Sequence, residues 1–236
     1  MNYAKTRKYF CQKSTASIVA SLSIIAIVLF LTSKISWGII CIAIAVGIYF
    51  LTRRPSDAEI DAIVQEEFQS LKAAALKKLG LDEEEIAIAD PVLTVGYSFQ
   101  DDRGRLKITD GNIECASFIK GKDFKWRSPI VGMHFFGFAE NEIHYYYRYI
   151  SLVSDTIKEG TNVINYKDVV SVRSDTECVP AINLKTNEED PREKVKFDIF
   201  AVNVPGDKIV CSTRDSNVAD EAVNALRALI KQRKNA

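Results

Sequence analysis

Residues Ser17–Leu51 read SIVASLSIIAIVLFLTSKISWGIICIAIAVGIYFL, with Lys34 the single charge. Ser17–Ser33 and Ile35–Leu51 are two uncharged runs placed back to back. At the helical rise of about 1.5 Å per residue each covers roughly 25 Å, slightly short of the typical hydrocarbon core of a bilayer. The pattern predicts a transmembrane α-hairpin over residues 17–54. Lys5, Arg7, Lys8 and Lys13 precede it and Arg53 and Arg54 follow it, with no acid among residues 1–15. Basic flanks mark the cytosolic side. The expectation is therefore a multi-pass protein of the cytoplasmic (inner) membrane with both termini cytosolic. Trp37 beside Lys34 and Tyr49 near Arg53 fall where interfacial aromatics sit. The candidate membrane-anchor flanks are Arg7, Lys8, Lys13, Lys34, Trp37, Arg53 and Arg54. A cleaved signal peptide is the competing reading, but no small-x-small site follows Leu31 and a second apolar run begins at once. Neither run holds an ionisable side chain other than cysteine or tyrosine, which argues against an ion or proton path. Ser17/Ser21 and Ala43/Gly47 have the small-xxx-small spacing that lets two helices pack on each other.

The 236 residues carry 31 Lys and Arg against 31 Asp and Glu. A zero net charge lacks the basic excess that drives counterion release, so nucleic acid is not an expected partner. Cys11, Cys41, Cys115, Cys178 and Cys211 are odd in number and scattered, without a CxxC pair. That is neither a disulfide framework nor a zinc framework.

Residues 1–16 form a basic N-terminus, and the hairpin follows. Residues 55–85 read as an amphipathic helix and an acidic connector. Ser56 with Glu59 three positions on makes a capping box, and Gly80 is a stop. Between them Ile60, Ile63, Val64, Phe68, Leu71, Ala75 and Leu79 form one stripe. Residues 86–128 read as a β-hairpin extension turning at Asp110-Gly111. From Ile130 the pattern alternates: Ile130–Phe138 and Glu142–Val153 are long strands around a short turn, and further strands run on to Thr213. On the second of these, Ile143, Tyr145, Tyr147 and Tyr149 share one face. The chain ends in an amphipathic helix from about Asn217 to Lys234, with Asp220 and Glu221 early and Lys231, Arg233 and Lys234 late, matching the helix dipole.

The segment FFGFAENEIHYYYRYISLV at 135–153, the run Ile164-Asn165-Tyr166-Lys167-Asp168-Val169 and the closing NVADEAVNALRALIKQRK resemble bacterial pleckstrin-homology-like proteins. The resemblance covers residues 129–236 and implies a PH-like barrel plugged by the C-terminal helix. The expected fold class is thus α+β: a transmembrane hairpin, a linking amphipathic helix and a mostly antiparallel β barrel closed by a helix. The family supplies no catalytic residues.

No phosphate loop, GxSxG or HExxH occurs, so no enzyme and no cofactor is expected. His134 and His144 sit on neighbouring strands and suggest a metal pair with Glu142 or Cys115. A zinc site needs three or four converging ligands, so no metal site is assigned. The run KGKDFKWR places Lys120, Lys122, Lys125 and Arg127 around Phe124 and Trp126. Lys125-Trp126-Arg127 has the Lys-x-Arg form that grips phosphates in phosphoinositide-binding PH domains, so these four are the candidate lipid contacts. The functional expectation is a membrane-anchored, non-catalytic PH-like interaction or scaffold module. Its partners are the bilayer, through two spans, and a protein partner or second copy. Two alternatives are an anionic-lipid sensor and a two-span effector that oligomerises and permeabilises the bilayer.

Overall fold

The computed structural model describes residues 3–11, 16–31, 35–86, 88–99, 118–183, 188–213 and 216–234. The helices α1 (Tyr3–Phe10), α2 (Ala16–Leu31), α3 (Ile35–Thr52), α4 (Asp57–Gln69) and α5 (Leu71–Leu79) come first. Among the described residues nine strands follow: β1 (Val92–Tyr97), β2 (Ile119–Lys120), β3 (Trp126–Arg127), β4 (Ile130–Phe138), β5 (Glu142–Ser151), β6 (Ile157–Asn165), β7 (Ser171–Asn183), β8 (Glu188–Val204) and β9 (Asp207–Ser212). Helix α6 (Ser216–Lys234) ends the described chain.

The strands make a four-stranded antiparallel sheet in the order β1-β4-β5-β6, a three-stranded sheet β7-β8-β9, and the small ladder β2-β3. The period-two alternation of β4 and β5 feeds two cores at once. Val131, Met133, Phe135 and Tyr146 point to one face, where Ile60 and Val64 of α4, Leu71 and Ala75 of α5, and Tyr9 and Phe10 of α1 join them. Phe136, Phe138, Ile143 and Tyr145 point to the other, against Phe200, Val202, Cys211 and, on α6, Val223, Leu226 and Ile230. Fully burying a large apolar side chain stabilises by about 1.5–3 kcal/mol. Helices α4 and α5 are thus part of the body and not a linker.

The capping box forms: Glu59 N donates to Ser56 Oγ at 3.2 Å and Ser56 N donates to Glu59 at 2.7 Å. Gly80 ends α5 with φ 69°. The helical stripe is broken once. Ser70 bonds back through its hydroxyl to the Glu67 carbonyl at 2.8 Å, which closes α4 and starts α5 at a new angle.

Three expectations are corrected. Among the described residues no helix is long and apolar enough to cross a membrane. Helix α2 has 16 residues and α3 has 18. Their rises of about 24 and 27 Å fall short of a hydrocarbon core of about 30 Å. The transmembrane hairpin, the multi-pass placement in the inner membrane and the two-span effector lose their support with that. Second, the described strands form no closed barrel: no ladder joins β6 to β7. Third, β1 pairs along its whole length with β4, from Val92 opposite Phe136 to Tyr97 opposite Val131. It therefore belongs to the four-stranded sheet and not to a separate extension over 86–128. The Asp110-Gly111 turn lies outside the described residues.

Candidate functional site

Arg127, expected on a basic lipid-facing run, is 1% exposed and sits at the centre of a carboxylate cluster. Its Nε and Nη2 fork onto Asp61 at 3.1 and 2.7 Å, and its Nη1 and Nη2 fork onto Asp123 at 3.0 and 2.8 Å. Asp57 lies 4.0 Å away. Asp57 and Asp61 are one helical turn apart on α4, so both reach the same guanidinium. The Tyr9 hydroxyl donates to Asp57 and the Tyr97 hydroxyl to Asp61, both at 2.7 Å, and the Lys122 backbone N–H donates to Asp57 at 2.7 Å. The cluster therefore ties together α1, α4, β1 and the β2–β3 turn. Hydrogen bonds from Arg127 pull the Asp123 carboxyl down to about 2. Burial opposes the charge on Arg127, but the bonds to Asp123 and Asp61 outweigh it and the guanidinium is raised. Burial and the bond to Asp57 raise the Tyr9 phenol. The guanidinium itself is buried while Asp61 and Asp123 remain 35% and 40% exposed, so it is the loss of both forks that would leave a buried charge uncompensated. Arg127 thus holds structure and is closed to any ligand.

The other three residues of the run remain outside. Lys120, Lys122 and Lys125 are exposed, and Lys120 Nζ lies 5.6 Å over the Trp126 ring. Between them Phe124 stands 81% exposed with φ 61°. A bulky residue in the left-handed region is strained and is held there only when its surroundings over-determine it. Here the base is the Arg127–Asp123 fork and the bond from Phe124 N–H to the Gly121 carbonyl at 3.1 Å.

The expected membrane flanks divide. Arg7 donates its Nε proton to the Val153 carbonyl beyond β5. Lys8, Arg53 and Arg54 line a groove with Lys5, Phe50, Pro55 and Glu59 where α3 meets α4. Lys5 pairs with Glu59 at 2.6 Å, and that bond is the main reason the Glu59 carboxyl falls to about 2. Trp37 is 63% exposed. Lys13 and Lys34 lie outside the described residues.

The α2–α3 hairpin packs on itself. Its less exposed positions are Val19, Leu22 and Ala26 on α2 and Gly38, Cys41, Ala45, Gly47 and Ile48 on α3. Ser21 and Ala43, expected in that seam, face outward. Among the described residues no hairpin side chain joins either core. Ile24, Ile27, Leu31, Trp37, Ile39, Ile42 and Phe50 are each at least 44% exposed.

The two histidines are separated by the sheet. His134 lies opposite Tyr147 and His144 opposite Gly137, so their side chains leave from opposite faces. His134 is fully buried, its Nδ1 2.8 Å from the Tyr145 hydroxyl. His144 lies 3.2 Å from Glu142. Among the described residues no group of three His, Cys, Asp or Glu could hold a metal ion. Burial pushes the Cys211 thiol up, which makes it inert as a nucleophile.

Sequence reasoning missed the carboxylate cluster because Asp61 lies 66 residues from the Arg127 it pairs with, and Asp57 further still. The one local signal was Asp57 and Asp61 at i and i+4. No protein-family model, no curated protein and no solved structure matches the chain.

Proposed function

We propose that this chain is a non-catalytic interaction module whose α2–α3 hairpin binds a protein partner, with the two-sheet body as its scaffold. The bare hairpin carries this reading. A contiguous apolar surface much beyond a few hundred Å² marks an interaction site, because leaving it in water is unfavourable. Here both outer faces are apolar and neither core covers them. Seven antiparallel strands followed by α6 support a pleckstrin-homology-like body, a scaffold that displays surfaces and needs no catalytic set. A photo-reactive residue in place of Ile27 or Ile42 tests the hairpin in the full chain. One discrete protein adduct is expected from both positions. Adducts to lipid alone, or none, would overturn the reading.

A second reading rests on Phe124. An exposed aromatic among Lys120, Lys122 and Lys125 fits an anionic surface, where each nearby lysine contributes about 1 kcal/mol. Vesicles with anionic lipid then retain the full chain less when Lys122 and Lys125 become Glu. Equal retention of both proteins removes this reading.

A further inference from the structure

Strand β6 is the outer strand of its sheet, and its polar groups can be placed residue by residue. Ser151 N donates to the Thr156 carbonyl at 3.0 Å and Tyr166 N to the Asn141 carbonyl at 3.4 Å. These bonds bracket the β5–β6 ladder in a constant register, from Ile150 opposite Ile157 to Glu142 opposite Asn165. In an antiparallel pair the hydrogen-bonded positions alternate. Residues 158, 160, 162 and 164 therefore bond to β5. Ile157, Glu159, Thr161, Val163 and Asn165 turn their N–H and C=O groups to the edge that no described strand pairs with. Ile164 enters the inner core, so the side chains of these same odd-numbered residues lie on the opposite face. There Ile157 is 48% and Val163 49% exposed. A long edge strand with outward polar groups and exposed apolar side chains is a template for another strand.

We infer that β6 pairs antiparallel with β6 of a second copy about a two-fold axis at Gly160. The sequence of the edge selects both occupant and register. With the axis at Gly160, Ile157 meets the second copy's Val163 and Val163 its Ile157, apolar on apolar. Glu159 meets Thr161, and Lys158 meets Asn162, so no like charges oppose. With the axis moved to Glu159, two carboxylates face each other; moved to Thr161, Glu159 faces Val163 and Ile157 faces Asn165. Like charges directly opposite destabilise a pair, whereas matched side chains stabilise it. Gly160 falls at a non-hydrogen-bonded crossing, where the Cα atoms approach to about 4.5 Å. Pairs 157–163 and 159–161, each made twice, give about eight main-chain bonds, following the alternation of bonded positions. Val163 N–H, now held by its neighbour Asn162 Oδ1 at 2.9 Å, exchanges that acceptor for the Ile157 carbonyl of the second copy. Glu159 keeps its bonds to Lys78 at 2.6 Å and Tyr146 at 2.8 Å, which balance its charge. The result is one eight-stranded sheet across two chains, an isologous contact of the kind that closes a dimer.

Residue-resolved amide exchange on the full chain tests this, with a non-ionic detergent covering the α2–α3 faces so that hairpin association does not contribute. Between two protein concentrations 100-fold apart, the amides of Glu159, Thr161 and Val163 slow at least tenfold, and sedimentation moves from monomer to dimer. The amides of Lys158, Gly160 and Asn162 stay protected at both concentrations. Thr161→Pro removes an edge N–H that β5 does not use, a place where an edge strand accepts proline. Val163→Lys puts a charge opposite Ile157 on an already exposed position. Both variants retain the fold and lose the concentration dependence. Exchange of the odd-numbered amides that ignores concentration, or a dimer that persists in both variants, overturns the pairing. Neither outcome bears on the hairpin adduct, so the two ideas fail separately.

Discussion

Arg127 answers two carboxylates with one planar guanidinium, and its hydrogen bonds hold the Asp123 carboxyl below its ordinary range. Its folded carboxyl lies at about 2, against an ordinary value near 3.9 in an unfolded chain. Between those values the unfolded state binds the extra proton, so stability rises with pH there. The contribution of Asp123 is complete above about pH 4 and is lost as pH falls toward 2. Asp123→Asn is therefore less stable than the parent at pH 7, and its stability falls less steeply from pH 4 to pH 2. Denaturant midpoints taken across that range check both statements. Glu59, also depressed, titrates in the same window and leaves the variant a residual slope. A variant whose acid slope matches the parent would show that the fork leaves the Asp123 carboxyl unshifted.

At the scale of elements, the two sheets meet most closely where β1 passes β9. A Cβ built on Gly96 runs into the Ser212 carbonyl and the Thr213 backbone nitrogen. Backbone cannot swing aside as a flexible side chain does. Gly96→Ala should cost about 1–3 kcal/mol as overpacking. Gly47→Ala, with nothing within 4 Å of its new methyl, serves as the control. Thermal unfolding of the pair measures the difference, and an unchanged Gly96→Ala midpoint would place a gap at this junction. Local signals made several elements legible beforehand. The capping box at Ser56 and the stop at Gly80 each depend on a few neighbouring residues. Ser70 was not legible as a break, because a serine inside a helical stripe bonds backward only when packing on both sides rewards a new direction. The interface of α2 with α3 was misplaced in part for a related reason. Spacing offered Ala43/Gly47, and the stripe through Gly38, Cys41 and Ala45 was equally compatible with the helical period.

For the whole molecule, hydropathy located the hairpin: two runs of 17 residues became helices of 16 and 18 residues, and among the described residues no helix is long and apolar enough to cross a membrane. The body was harder to read than its strands. Alternation in β4 and β5 identified each face, yet which core each face entered depended on α1, α4 and α5, which lie far upstream. The basic run at 120–127 illustrates the limit. Composition grouped Lys120, Lys122, Lys125 and Arg127 as one patch, whereas the fold took Arg127 inside to meet Asp61 and left the lysines out.

The bond between Tyr9 and Asp57, at 2.7 Å, has a consequence for how the chain is assembled. It joins the last turn of α1 to the first turn of α4, so the chain departs from the body and returns to it at nearly one point. Among the described residues of the stretch 12–54 none belongs to either core, so a short bridge leaves the described core contacts in place. A chain in which residues 12–54 are replaced by a short Gly/Ser bridge should keep a native near-ultraviolet spectrum and a cooperative melt. Collapse of that spectrum would mean that the hairpin is needed to fold the body. Read this way, the hairpin is modular cargo: it can be exchanged for another segment of any length whose ends fit the same stirrup, while the body stays as it is.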